Sequence, residues 1–297
     1  MLTRSCAAVV SVAVALAVSG CGSTGGGSAR DAAVNPTPRA ELVLPIPGMA
    51  KARVRRGLVY ATRADGPLRM DVYRPAKTSD DALPAVLVGG PPDQDAGKDS
   101  AQKVGWSQLI AASGLAAVAF DIRSDQFLRT PAAPTRDVSA AIRYVRSHAA
   151  ALGIDPNRLC TLGFSLGTAP WHLSATMRAP KPYVRCNVVY YGALDFHDDA
   201  FFMKPKLVDA YSALTFLRAH GARIAPMLVV KAGRDRFREI NRSIDRFVAA
   251  AQRSGAPVTL LTHPTAPHGF DLTQNDGRAR EIISATLAFF RERLGAR

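Results

Sequence analysis

The sequence lacks a second hydrophobic run behind its N-terminus, an internal repeat, and any stretch in which lysines and arginines cluster. Without an apolar run of roughly 20 residues, we expect no membrane span. The net charge is +14, but the basic residues are scattered among apolar runs, so we expect no nucleic-acid partner. In an exported chain, this charge is expected to attract anionic lipids or wall polymers.

The sequence also offers little for a metal ion. The one suggestive cluster is His197-Asp198-Asp199. Adjacent residues on an exposed loop rarely converge on one ion, so we interpret this segment as a solvated loop. We expect neither a metal nor a cofactor.

The N-terminus has the pattern of an export signal. Arg4 precedes the uncharged run Cys6–Val18, which suits the core of a signal peptide and is too short to span a bilayer. The run ends in Val18-Ser19-Gly20-Cys21, which resembles the lipobox of bacterial lipoproteins. The resemblance implies a signal peptide over residues 1–20 and lipidation of Cys21. It places the protein at the outer face of the cell membrane or in the periplasm, and an ordinary cleaved signal is the alternative.

The rest of the chain divides into a tether and one domain. Residues 21–50 are rich in Gly, Ser, Ala and Pro and show no periodicity, which is typical of a flexible linker. Residues 51–297 have the length of a single domain with one core.

Short apolar runs alternate with helical patterns along this domain. Two segments flanking Arg63–Pro67 predict an antiparallel hairpin. Six further runs predict buried parallel strands over residues 85–90, 115–122, 158–163, 186–192, 226–233 and 258–263. This alternation predicts an α/β fold with a mostly parallel, eight-stranded sheet covered by helices on both faces. Active groups then collect beyond the carboxyl ends of the strands.

The segment "GFSLG" places Ser165 between such a strand and a helix that starts near Leu166. Tight turns of this kind favour residues without a Cβ, and Gly163 and Gly167 flank the serine. The arrangement resembles the nucleophile elbow of α/β-hydrolases and implies that Ser165 is the nucleophile. The alternative is a glycine-rich turn with an incidental serine.

A serine nucleophile needs a base and an orienting acid. In α/β-hydrolases the acid and then the histidine follow the serine, which points to Asp235 after one strand and His268 after the last. Asp195, which follows the strand next to that of Ser165, is the alternative acid. We expect His263 and His172 to pack within the domain.

The oxyanion formed in such a reaction needs backbone donors. We expect these donors to be the N–H groups of Leu166 and Gly90. Many relatives carry His-Gly-Gly where this chain has Val88-Gly89-Gly90. Pro91 and Pro92 lack an N–H and cannot be the second donor, which leaves Gly90. The missing histidine raises the question of what supports this loop.

Over residues 55–295 the pattern is most similar to dienelactone-hydrolase-type and prolyl-oligopeptidase-like esterases. Dienelactone hydrolases proper use a cysteine as nucleophile, and the serine at this position implies cleavage of general carboxylic esters through an acyl-enzyme. The segment from Asp195 to Pro226 contains one predicted helix and leaves little or no lid, so we expect a short acyl or aryl ester. A serine peptidase of the same fold and a non-catalytic binding lipoprotein are the alternatives.

Cys160 and Cys186 remain once Cys6 and Cys21 are set aside. They lie on strands predicted to be neighbours, within reach of a disulfide. Because a bridge between parallel neighbours needs unfavourable torsions, we expect two buried thiols that are close but unbonded.

Overall fold

The computed structural model describes residues 42–77, 82–90, 97–123 and 128–296. The predicted signal peptide, Cys21, Pro91 and Pro92 lie outside these residues. Within the described ranges, no helix combines the length and the apolar character needed to cross a membrane.

Strands and helices alternate along the described chain. The strands are β1 (Arg53–Arg63), β2 (Gly66–Arg74), β3 (Leu83–Gly90), β4 (Ala116–Asp121), β5 (Ile154–Phe164), β6 (Val184–Tyr190), β7 (Met227–Ala232) and β8 (Val258–His263). The helices are α1 (Ala101–Ala112), α2 (Ala132–Ser147), α3 (Ala149–Leu152), α4 (Ser165–Met177), α5 (Pro205–Tyr211), α6 (Ala213–His220), α7 (Arg238–Ser254), α8 (Phe270–Thr273) and α9 (Gly277–Leu294).

The strands form one sheet in the order β1-β2-β4-β3-β5-β6-β7-β8. Strand β2 runs antiparallel to both of its neighbours, β1 and β4, and β3 to β8 run parallel to one another. The predicted eight-stranded, mostly parallel sheet is therefore confirmed. The carboxyl ends of β3, β5, β6, β7 and β8 meet at one edge, where functional side chains collect.

Two hydrophobic cores lie on opposite faces of the sheet. One includes Trp171 of α4 and Phe247 of α7, and the other includes Trp106 of α1 and Phe290 of α9. The central strands β3 to β7 are mostly buried, which is why they are continuous apolar runs rather than alternating ones.

The folded part of the chain begins earlier than the predicted tether boundary. Leu42 and Val43 are buried, and the Val43 N–H donates to the carbonyl of Asp271. A short 3-10 helix follows at Met49–Lys51. These apolar side chains lie in a segment whose composition is otherwise that of a linker, so composition alone misplaces the boundary.

The expectation of unbonded thiols is wrong. Cys160 and Cys186 form a disulfide, with their Cα atoms 4.7 Å apart. The two residues face each other directly, but the register shifts at this point because Leu159 pairs with Val184 and Cys160 with Cys186. The extra residue, Arg185, is a bulge in β6. A bulge redirects the neighbouring side chains, so the regular parallel geometry assumed from the sequence does not hold here.

The single helix predicted between Asp195 and Pro226 is two helices, α5 and α6, separated by Ser212. Ser212 has extended backbone angles, and its hydroxyl accepts the Phe196 N–H at 2.9 Å. This bond ties the break between the helices to the segment that follows β6.

Candidate active site

Ser165 lies at the sharp turn between β5 and α4. Its φ is +53°, a left-handed conformation that non-glycine residues adopt at a cost and that is frequent at functional sites. The turn brings α4 close to β5, since a Cβ on Gly163 would lie 2.7 Å from the Ala169 Cα. Only glycine fits at residue 163, as the sequence predicted for an elbow.

The structure brings Ser165, His268 and Asp235 together. The His268 Nε2 lies 2.8 Å from the Ser165 Oγ, and the Nδ1 lies 2.6 Å from the Asp235 Oδ2. An ionised carboxylate can only accept, so Nδ1 carries the proton and Nε2 is free to accept from the serine hydroxyl. The other carboxylate oxygen of Asp235 accepts the Phe237 N–H at 2.9 Å, which fixes its orientation.

Asp195, the alternative acid, has other partners. Its oxygens accept from the His197 Nδ1 and the Arg246 Nε, each at 2.5 Å. Burial opposes ionisation most strongly, but the bonds from His197 and Arg246 outweigh it and hold the pKa of Asp195 below its usual value. Asp195 therefore joins the end of β6 to α7, while Asp235 contacts His268.

His263, His197 and Asp198 contact acidic or basic residues other than the three joined at Ser165. The His263 Nε2 is 3.0 Å from Asp276, which caps α9. The His197 Nε2 is 3.0 Å from Asp209 of α5, and Asp198 pairs with Arg242. Among the described residues, no group of three or more His, Cys, Asp and Glu is arranged to hold a metal ion.

Two aromatic rings hold His268 in place, and sequence reasoning missed both. The Tyr191 ring centre lies 4.5 Å from that of His268, and the Phe237 ring meets it edge-on at 5.0 Å. Tyr191 has a φ of +35°, which is unusual for a bulky residue. Burial, followed by the charge of Asp271, raises the pKa of Tyr191 well above its ordinary value, so its hydroxyl acts as a donor.

The acceptor of this hydroxyl is the buried carboxylate of Asp271. It receives the Tyr191 hydroxyl at 2.5 Å, the Gln102 amide at 2.9 Å and the Trp106 indole N–H at 2.9 Å. Asp271 lies three residues after His268, so this network ties the histidine segment to α1 and to the end of β6. The only signal for this network in the sequence is that Asp271 follows the predicted catalytic histidine, His268, by three residues.

The expected oxyanion donors occupy suitable elements. Leu166 lies in the first turn of α4, where backbone N–H groups have no partner within the helix. Gly90 ends β3, the strand next to β5, and its carbonyl accepts the Ile122 N–H at 3.0 Å.

His172 on α4 lies directly beneath this strand end. A Cβ on Gly89 would be 2.3 Å from the His172 Nε2, and the imidazole stacks on Phe120 with centres 5.6 Å apart. Complete burial lowers the pKa of His172 to about 3, so the ring is neutral. A neutral ring on α4 thus packs under β3, beside Gly89.

Lys98 lies in the segment that follows the loop after β3, and its side chain is buried. The Lys98 Nζ pairs with Asp71 at 3.1 Å and Asp99 at 2.8 Å, and its N–H donates to Asp121 at 3.0 Å. These bonds fix Lys98 to β2 and to the end of β4.

The known proteins that the chain resembles in sequence or structure include esterases. The profile of the family described as BD-FAE matches residues 70–182. An acetylxylan esterase of Xylanibacter ruminicola is 26% identical over an alignment of 222 residues, and the match covers 69% of this chain and 44% of that protein. The chain thus spans less than half the length of this curated relative.

Solved structures of esterase 2 from Thermogutta terrifontis are similar over most of the chain. The native form has a TM-score of 0.66 at 23% identity and covers 84% of this chain and 95% of its own. The propionate-bound form gives 0.66 and 23%, with coverage of 84% and 97%. The form phosphorylated by paraoxon gives 0.65 and 23%, with coverage of 83% and 95%. Together with the parallel sheet, these likenesses show that the chain has the α/β-hydrolase fold.

Proposed function

We propose that the protein is a serine hydrolase that cleaves carboxylic esters through an acyl-enzyme at Ser165. The observation that carries this proposal is the continuous hydrogen-bond chain from Asp235 through His268 to the Ser165 Oγ. A serine hydroxyl is a weak nucleophile until an adjacent base takes its proton. This chain supplies the base and the acid that orients it.

The reaction follows from these contacts. The Ser165 Oγ attacks the ester carbonyl carbon while its proton passes to the His268 Nε2, and Asp235 stabilises the imidazolium. The backbone N–H groups of Leu166 and Gly90 stabilise the negative oxygen of the tetrahedral intermediate. Collapse of the intermediate breaks the bond to the alcohol oxygen, which takes the proton from Nε2. Water then attacks the acyl-enzyme by the same steps and releases the acid.

We propose a short acyl chain for the substrate. The relatives that the chain resembles include an acetylxylan esterase and an esterase with bound propionate or butyrate, which supports acyl groups of this size. The short helices α5 and α6 pack onto the domain through buried residues such as Tyr211 and Leu214, which supports an open site with little lid. We also propose that the protein is an esterase of the dienelactone-hydrolase type, as the sequence pattern suggests.

Substitution of Ser165 or His268 tests the catalytic assignment. We expect S165A and H268A each to lower kcat/KM for 4-nitrophenyl acetate by about a thousandfold or more, and the double variant to be little worse, because these residues act as a unit. Fluorophosphonate labelling should disappear in S165A. The exposed Ser147 provides a matched control, since S147A should keep both activity and labelling. Activity of S165A within about threefold of wild type would overturn the assignment.

We further propose that the protein is exported and anchored by lipid on Cys21. The signal-like run and lipobox-like segment support this proposal, and so does the Cys160–Cys186 disulfide, because disulfides persist in oxidising compartments. Extraction of the native protein should require detergent, and C21A should be released in active form. Mass spectrometry of a mature chain that starts before Cys21 would contradict the proposal.

A further inference from the structure

Three arginines surround the proposed acid of the active site. Arg234, Arg236 and Arg238 lie in and just after the β7–α7 loop, and all three are exposed while Asp235 between them is buried. The Arg234 N–H donates to the carbonyl of Ala266 at 2.9 Å. The loop that carries the arginines is therefore fixed to the segment that leads into His268.

Arg236 lies close to the reacting groups. Its guanidinium carbon is 4.7 Å from the centre of the Phe237 ring, and that ring is 5.0 Å from the His268 ring. The guanidinium thus lies within about 10 Å of the imidazole, the range over which charges act at 0.1 M salt. The aromatic ring holds the cation by a cation–π contact.

These arginines differ from their neighbours in lacking acidic partners. On the same helix, Arg242 pairs with Asp198 at 2.7 Å and Arg246 with Asp195 at 2.5 Å. Within the described part of the chain, none of Arg234, Arg236 and Arg238 forms an ion pair. Their charges are therefore available to a ligand.

Folding stability does not account for this placement. Arg238 opens α7, and a helix N-terminus carries partial positive charge that disfavours cations. Three like charges within five residues also repel one another. Asp235 and Glu239 offset two of these three charges and leave the excess positive.

We propose that Arg234, Arg236 and Arg238, the arginine rim, recognise a negative group on the alcohol part of the ester. The inference rests on the proposed function, because His268 must protonate the departing alcohol oxygen and the alcohol part therefore lies on the His268 side of the site. The Arg236 guanidinium borders that side through the Phe237 ring, and the exposed Arg234 and Arg238 lie two residues before and after it in the chain. The substrate class is an acyl ester whose alcohol carries a carboxylate, sulfate or phosphate, groups that guanidinium binds well.

A matched pair of esters tests the arginine rim. We expect the ratio of kcat/KM for 3-acetoxybenzenesulfonate to that for the neutral 3-acetoxybenzenesulfonamide to fall about tenfold in the triple variant R234Q/R236Q/R238Q at low salt, since exposed charge contacts are individually weak but add up. Comparison between variants cancels the intrinsic reactivities of the two esters. In the wild type, the same ratio should fall when NaCl is raised to about 0.5 M, because salt screens exposed charges.

A second triple variant separates the arginine rim from the overall charge of +14. Lys51, Arg53 and Arg55 are exposed at or beside the edge strand β1, far across the sheet from β7, and K51Q/R53Q/R55Q removes the same charge. This control should keep the wild-type ratio. Equal losses in both variants, or an unchanged ratio in the rim variant, would overturn the proposal. If the wild type hydrolyses neither ester, that result would instead contradict the proposed function.

Discussion

At the scale of single residues, His268 depends on more than the acid it contacts. Its ring lies between Tyr191 and Phe237, and Asp271 holds the Tyr191 hydroxyl. Asp271 is fully buried and accepts three donors, so loss of its charge weakens several bonds at once. We therefore regard Tyr191 and Asp271 as positioning residues for the histidine.

Substitution of Asp271 should separate positioning from substrate binding. We expect D271N to lower kcat by about tenfold to a hundredfold with little change in KM, because a small displacement of the base slows proton transfer more than it weakens binding. Y191F keeps the ring against His268 and should lose less than D271N. Steady-state kinetics on 4-nitrophenyl acetate would check both. A rise in KM with unchanged kcat would contradict the positioning role.

The choice between the two candidate acids shows what the sequence can and cannot predict. Asp235 and Asp195 each follow a strand, and their spacing to His268 allows either to reach it. What separates them is Arg246, 51 residues beyond Asp195, which contacts it at 2.5 Å. A contact between such distant residues leaves no local pattern, whereas the elbow around Ser165 does, because its strained turn restricts the residues on either side.

At the scale of secondary-structure elements, the contact between α4 and β3 supports the strand end that carries Gly90. Gly89 and the His172 ring occupy the space that a Cβ at residue 89 would need. Helix α4 therefore positions Ser165 at its start and supports β3 two turns later.

A double-mutant cycle tests this contact. We expect G89A to lower kcat/KM by about a hundredfold, because the new methyl group would displace β3 or the imidazole and move the oxyanion donor. H172A removes the obstructing ring, so G89A/H172A should recover about tenfold or more over G89A. Additive effects of the two substitutions would show that Gly89 and His172 act independently.

The spacing of apolar residues in the sequence predicts some of these secondary-structure elements correctly and others not. Strands β3 to β7 were predictable because their burial makes them continuous apolar runs. The break at Ser212 was not, since the helical spacing of apolar residues continues across it. The bond from Phe196 to the Ser212 hydroxyl stabilises the break, and that partner lies 16 residues away.

At the scale of the whole molecule, His172 links stability to pH. Its pKa in the folded protein is about 3, compared with roughly 6.5 in an unfolded chain. The unfolded state therefore takes up the proton first as the pH falls. The contribution of neutral His172 is complete above about pH 6.5 and declines below it, by up to about 1.4 kcal/mol per pH unit.

Chemical unfolding at several pH values would check this dependence. Between pH 6.5 and 4.5, the urea midpoint of the wild type should fall more steeply than that of H172F, which keeps a ring against Phe120 without the titrating group. The two proteins should show parallel behaviour above pH 7. Equal slopes below pH 6.5 would mean that the burial of His172 does not set the acid stability.

The disulfide between β5 and β6 makes the nucleophile part of a covalent ring. Residues 160–186 include Ser165 and all of α4, and Cys160 and Cys186 close this ring. A protease that cuts once after the exposed Arg178 would divide the backbone and still leave one molecule. On a denaturing gel the nicked protein should migrate as a single band without reductant and as two with it. A fluorophosphonate tag on Ser165 would then travel with the N-terminal fragment.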